Sequence, residues 1–408
     1  MPGGRMTTRW DHVFIAVLGG VAAALHVGKV PPALPLLREE LLLDLIVAGW
    51  LMGQVSLMGG LLGLVVGRGA DYLTPRSSMA LSLSLLIFGS TAGALSSSAM
   101  GLFASRVMES FGLILAVVSA PALITTATVS KDRGLAFAAW AGWLPMGVGA
   151  MMLASPPLLT AFGWRGAWLA AAAATVVPLA ALLLSRPAVS LSKTGTKLSL
   201  LEGAKLTASL PTSWLLAGMF LLYSASFMSV FGFLPTMLIE ETNLTLTTAS
   251  LLTAVAVMSN VPGNFAGGIL LRRGAPRWAL VAAAFSLLSL SAFAVFASGL
   301  PLLVRYLAAL IYAAAGGLLP AAIMSALPGY AARPDLVSTI SGFVMQGTNL
   351  GQFLGPLLLA SIVSRGGWTA APYYVTATAM VGVSLALIFR HSEMRQSAPN
   401  EEENEGVA

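Results

Sequence analysis

The chain has 408 residues, 57% of them hydrophobic and 9% charged, with a formal net charge of +6 and no cysteine. A soluble globular domain carries about 25% charged residues, so this chain cannot cover its apolar bulk in water, and the missing cysteine excludes a disulfide framework, a thiolate metal site and a cysteine nucleophile. The positive balance does not mark a nucleic-acid partner, because the basic residues are scattered through short loops and form no single patch.

The apolar runs have the length a bilayer demands, about 20 residues for roughly 30 Å of hydrocarbon. They predict helices over 13–37, 46–66, 78–97, 100–124, 135–160, 166–185, 213–238, 247–270, 279–297, 301–325, 337–363 and 369–389. The run after Asp11 is too long for the apolar core of a signal peptide and lacks a small-residue cleavage site, so it reads as the first helix. The longest connection, Ser185 to Pro211, carries Arg186, Lys193, Lys197 and Lys205 and splits the helices six and six. The expected fold is therefore all-α, a membrane protein of twelve transmembrane helices in two pseudo-symmetric six-helix bundles. Its expected parts are an N-terminal bundle (1–185), a cytoplasmic linker (186–212), a C-terminal bundle (213–389) and a disordered cytoplasmic tail (390–408) ending in Glu401, Glu402, Glu403 and Glu405.

Charge sets the orientation. With the N-terminus inside, sixteen Lys and Arg fall on the cytoplasmic side and only Arg38, Arg165 and Arg365 outside, as the positive-inside rule requires. An odd number of spans would scramble that asymmetry. The expectation is a multi-pass protein of a bacterial inner membrane, monomeric, with both termini cytoplasmic.

The second half echoes the first at an offset near 200. Gly67 lies nine residues before Arg76, and Gly268 nine before Arg277, each in a loop closing with Pro-Arg. Arg106 lies fifteen residues before Pro121, and Arg305 fifteen before Pro320; Gly163-Trp164 matches Gly367-Trp368. Ordered matches at one offset are a mark of secondary transporters, whose sites lie between the repeats.

The stretch Gly67-Arg-Gly-Ala70-Asp71 with Arg76 resembles the loop 2–3 signature of the major facilitator superfamily, G-x-x-x-D-R-x-G-R-R, with Tyr72 and Thr74 as departures; Arg106 to Gly112 also resembles a superfamily motif. Arg106-Val-Met-Glu109-Ser-Phe-Gly112, Asp132-Arg133-Gly134 and Gln346-Gly-Thr-Asn349-Leu-Gly-Gln352 are similar in texture to the cyanate and nitroimidazole permease branch. The resemblance implies alternating access, with Gly67, Asp71, Arg76 and the second-copy Arg277 as gating residues on the cytoplasmic side. Asp71 would sit at a positive helix end, where a carboxylate is favoured.

Four full charges lie within the predicted spans: Lys29, Arg106, Glu109 and Arg305. An ionisable group at that depth is expensive and marks function by default. Three positive against one negative favours an anionic substrate. Lys29 shares a helix face with His26 and precedes Pro31-Pro32, which interrupt helix 1. It is either an anion contact or a chain that snorkels outward. Arg106 and Glu109 can pair at i,i+3, either as a structural tie or as a proton switch that releases Arg106 when Glu109 is protonated; His26 is the second candidate proton carrier. Arg305 has Ala308 where its repeat partner has Glu109, and is either a substrate contact or a snorkelling residue.

Polar residues complete the expected lining: Gln346 and Asn349 on helix 11, Asn260 and Asn264 around Pro262-Gly263 on helix 8, and Tyr223 on helix 7. Gly347, Gly351 and Gly355 recur at steps of four, a packing ridge. No Walker loop, Ser-His-Asp arrangement or carboxylate dyad supports an ATP-driven pump or an enzyme. The function expected is secondary active transport of a small organic or inorganic anion with proton coupling, without cofactor or metal. The rival is proton-driven export of neutral or lipophilic drugs.

Overall fold

The computed structural model describes residues 7–71, 74–129, 132, 136, 139–140, 142–185, 199–333 and 336–397, with backbone alone for 62–71, 200, 338 and 395–397. The described residues form helices without strands. Span 1 is two helices in line, α1 (Trp10–Gly28) and α2 (Val30–Leu41), broken at Lys29. The break follows from Pro31 and Pro32, which have no N–H to give to the carbonyls of Val27 and Gly28. Next come α3 (Leu45–Asp71), α4 (Pro75–Ala94) and α5 (Ala99–Ala127). The N-termini of α4 and α5 are capped by Thr74 and Ser98, whose hydroxyls accept backbone N–H groups of Ser77 and Gly101.

The long α6 (Trp143–Leu184) has 42 residues. At 1.5 Å per residue it would reach about 63 Å, twice the hydrocarbon thickness. It is two spans meeting at Gly163, whose φ of 62° and ψ of −169° lie outside the helical region. Gly367 repeats the device in the second half, with φ 67° and ψ −179°. Only glycine takes such angles without strain.

The linker holds a short helix, α7 (Leu200–Ala208), closed by a reciprocal cap between Ser199 and Glu202. Those hydrogen bonds hold the Glu202 carboxyl below its usual range. The second half comprises α8 (Pro211–Thr242), α9 (Leu246–Met258), α10 (Asn260–Arg272), α11 (Arg277–Val295), α12 (Leu302–Tyr330), α13 (Val337–Gly366) and α14 (Ala371–Ser397). Span 8 is broken at Ser259, just before Pro262.

Nine helices among the described residues are long and apolar enough to cross a membrane. Dividing α6 at Gly163 and adding α3 and α13, of 27 and 30 residues, brings the spans to twelve. Two expected limits shift. The linker is partly helical, and the last span runs to Ser397, past Arg390 where a disordered tail is expected; Glu393 in that extension is buried and bonded to α11. Residues 398–408 lie outside the described part.

Helix α13 is the seam. A Cβ at Gly347, Gly351 or Gly355 would meet the carbonyls of Ala217, Leu221 and Ala225 on α8 at 2.6, 2.2 and 2.3 Å. The glycine ridge is therefore a packing surface. Another face of α13 meets α3 of the first half, where Ser56 donates to Gln352 at 2.7 Å and Trp50 meets Phe353 edge-on.

Candidate functional site

The charged residues of spans 1 and 4 come together in one cluster. His26, Lys29, Arg106 and Glu109 have no solvent exposure. Glu109 forms ion pairs with both Lys29, through Oε1, and Arg106, through Oε2. Arg106 also donates from Nη1 to the His26 carbonyl at 2.8 Å. The Lys29 ammonium donates to Ser90 Oγ at 2.7 Å and lies 4.5 Å from the centre of the Trp168 ring. Ser90 Oγ in turn donates a hydrogen bond to the Trp168 carbonyl at 2.7 Å. Four spans thus hold one carboxylate and two cations, an arrangement that offsets the cost of burying charge only while each member keeps its partners.

The hydrogen bonds assign the histidine tautomer. Thr175 Oγ1 donates to the Ala171 carbonyl at 2.7 Å, so it must accept from His26 Nε2, 3.0 Å away. Nδ1 is then the bare nitrogen. It faces Glu109 Oε1 at 3.3 Å and the Lys29 ammonium at 3.4 Å. Neutral His26 leaves the cluster with two positive charges against one negative. The guanidinium of Arg106 keeps Nε and Nη2 buried without an acceptor among the described residues.

Arg305 lies elsewhere. It is 4% exposed, donates to Glu241 at 2.7 Å and gives its Nε–H to the Val295 carbonyl at 2.9 Å. The acid partner that its own helix lacks, with Ala308 in the matching place, comes from the end of α8, so Arg305 is held inside the protein by an ion pair. Asn260 and Asn264 form a second polar centre in the C-terminal half. Asn260 donates from Nδ2 to the Tyr223 hydroxyl and the Ala313 carbonyl, both at 3.1 Å, and accepts from Asn264 at 2.9 Å. Tyr223 belongs to a run of rings, Phe220, Tyr223, Phe227, Phe231 and Tyr312, with neighbouring centroids 4.7–5.9 Å apart. Asn349 turns back to the Met345 carbonyl at 2.9 Å and packs on Gly59 of α3. Gln346 is half-buried on the same helix.

Where they are described, the residues expected to gate bond within their own halves. Arg76, at the start of α4, donates to the Leu183 carbonyl at 2.9 Å. Arg277, at the start of α11, pairs with Glu393 at 3.2 Å. Each ties the third span of its half to the sixth. The side chains at positions 67 and 71 lie outside the described residues.

On the face away from the termini, two matched hooks emerge. Trp164 donates its indole N–H to Glu40 at 2.8 Å, and Trp368 donates to Glu240 at 2.9 Å. The other oxygen of Glu40 takes Arg165 of the same half at 2.6 Å. In the second half Thr369 stands where Arg165 would be, and Glu240 takes Arg38 of the first half at 2.7 Å. The sequence reading missed both acids, and also Ser90, Trp168 and Thr175. The 200-residue spacing of Glu40 and Glu240, close to the repeat offset, was the signal available; a lone Ser or Thr in an apolar span offered none.

The profile of the Major Facilitator Superfamily matches residues 14–346 and 216–407. Sequence comparison with curated proteins finds no match. Among solved structures, a bacterial homologue of the human lysosomal transporter Spinster, inward-facing and unoccupied, aligns with a TM-score of 0.80 at 16% identity, over 95% of this chain and 97% of that one. The inward-facing, occupied form gives 0.76 at 16% identity, over 96% and 98%. A D-xylose–proton symporter gives 0.72 at 15% identity, over 93% and 97%. These likenesses carry the fold and say nothing of the cyanate and nitroimidazole branch. By its profile match over most of its length, this multi-pass membrane protein belongs to the major facilitator superfamily, and is a secondary transporter of the alternating-access type, not an enzyme.

Proposed function

We propose that the protein carries a small anion, organic or inorganic, coupled to proton movement, with Lys29 and Arg106 as the anion-binding groups and Glu109 as their occupant when no anion is bound. The observation that carries this reading is the valence of Arg106. Its Nε and Nη2 have no acceptor among the described residues although they are buried, and a buried donor left unpaired is costly. A second oxyanion would satisfy them bidentately, the geometry that guanidinium favours.

Protonation of Glu109 cancels its hold on both cations and frees them for the solute. His26 Nδ1, 3.3 Å from Glu109 Oε1, is placed to share that proton, which makes the pair one proton site. The break at Lys29 lets α1 and α2 change their angle as the occupant changes. The Tyr223–Asn260–Asn264 group orients the solute from the other half, and Gln346 and Asn349 contribute from the seam helix α13. On this reading the cytoplasmic side carries both termini and the linker, each bundle moves as one body, and the protein works as a monomer in a bacterial inner membrane. A xylose–proton symporter among the fold relatives supports the plausibility of proton coupling in this architecture.

One observation favours a second reading. The run of five rings from Phe220 to Tyr312 suits an apolar or aromatic solute, as expected of an exporter of neutral or lipophilic drugs. The test is proton flux in proteoliposomes holding a pH-sensitive dye. Cyanate, nitrate or a short carboxylate is expected to trigger flux that is lost in Lys29→Ala and Arg106→Ala. Flux triggered only by neutral or cationic drugs, and kept in both variants, overturns the anion reading.

A further inference from the structure

A pocket of about 550 Å³ opens between the ends of α10 and α14 and the start of α11, on the membrane face that carries the termini. Its apolar lining includes Leu271, Pro276, Trp278 and Met394; its charged lining is Arg277 and Glu393. Those two charges are spent on each other. Glu393 accepts from the backbone N–H groups of Arg277 and Trp278 at 3.1 Å each, and from the Arg277 side chain at 3.2 Å.

Three further arginines sit around this neutral floor. Arg272 and Arg273 are exposed on the α10 end beside Leu271. The Arg390 guanidinium lies over the Trp278 ring, 4.9 Å from its centre, a cation–π contact that uses none of its N–H groups as hydrogen-bond donors to an oxygen acceptor. None of the three has a carboxylate partner among the described residues. The surroundings are apolar and face outward: Ile269 and Leu270 on α10, Leu387 and Ile388 on α14 are 37–55% exposed. A basic rim over a pocket, set at a helix end and continuous with exposed apolar side chains, is complementary to an amphipathic anion.

We infer that this pocket binds the headgroup of an anionic phospholipid, with phosphate oxygens on Arg273 and Arg390, supported by Arg272, and acyl chains along Ile269, Leu270, Leu387 and Ile388. The Trp278 indole sits where interfacial tryptophans anchor membrane proteins. This inference stands apart from the transport site, since no residue is shared.

The experiment is native mass spectrometry of the full chain released from micelles doped with equal amounts of phosphatidylglycerol and phosphatidylcholine. Wild type is expected to retain phosphatidylglycerol preferentially. Arg273→Gln/Arg390→Gln should lower that preference by about tenfold, from the roughly 1 kcal/mol that each basic residue near an anionic surface contributes, partly screened. Lys205→Gln/Arg333→Gln, which removes the same charge elsewhere on that face, should leave it intact. Equal losses in both variants, or no preference in wild type, would overturn the inference. Displacement of the lipid by excess inorganic phosphate would also overturn it, by assigning the pocket to a free anion.

Discussion

The tie between Arg38 and Glu240 joins the two halves on the face away from the termini, and its loss should shift the protein toward a state open on that face. The side chains are 29% and 44% exposed, so the pair counts as a surface ion pair worth about 0.2–1 kcal/mol. Trp368 already orients Glu240 through its indole N–H, which lowers the entropy cost of pairing and places the value toward the upper limit. At 1.4 kcal/mol per decade the equilibrium should move roughly two- to fivefold. The chain has no cysteine, so Glu39→Cys and Thr247→Cys give unique spin-label sites on either half. Double electron–electron resonance in nanodiscs then reads the two distance populations. Glu240→Gln and Arg38→Gln should each enrich the longer distance, and the double variant should add little to either single one. Raising the salt should mimic the substitutions, since exposed charges are screened within about 8 Å at 0.15 M ionic strength. Unchanged populations in both single variants, or fully additive effects in the double, would refute the assignment of this pair as a tie on the face away from the termini.

Three other outcomes follow from the same structure. Glu109→Gln should lower stability by about 3–5 kcal/mol, because Lys29 and Arg106 lose their shared buried counter-charge; adding Lys29→Met should recover much of the loss in a thermal-unfolding assay, and an unchanged melting temperature in the single variant would contradict the cluster. Gly351→Val should weaken folding by about 1–3 kcal/mol or more, since its Cβ would meet the Leu221 carbonyl at 2.2 Å, whereas Gly268→Ala meets nothing within 4 Å and should be neutral by the same assay. Thr369→Arg should supply the second half with its own partner for Glu240 and compete with Arg38, enriching the longer distance in the spin-label experiment about as much as Arg38→Gln.

What the sequence made legible was one-dimensional. The break at Pro31-Pro32 and the repeat of Gly163-Trp164 at Gly367-Trp368 are local patterns, and each corresponds to a described feature. The Arg106–Glu109 pair was readable because i,i+3 spacing on one helix fixes proximity. The Lys29–Glu109 pair was not, since 80 residues separate the two and only the rotation of α1 against α5 brings them together. Ser90 and Thr175 were invisible for a related reason. A hydroxyl in an apolar span usually bonds its own i−4 carbonyl, and Thr175 does that while also receiving His26. Arg305 shows the opposite failure. A search along its own helix finds Ala308, while its acid, Glu241, stands 64 residues earlier.

Two identical halves related by a twofold axis must carry any contact twice, so both hook carboxylates would be held internally or both would cross. This chain has one of each, Glu40 satisfied at home by Arg165 and Glu240 reaching across to Arg38. The difference is one side chain, arginine in the first hook and threonine in the second. Divergence at that position converts a duplicated anchor into one internal hold and one crossing ion pair on that face, and one crossing pair breaks in one event where a symmetric arrangement would need two.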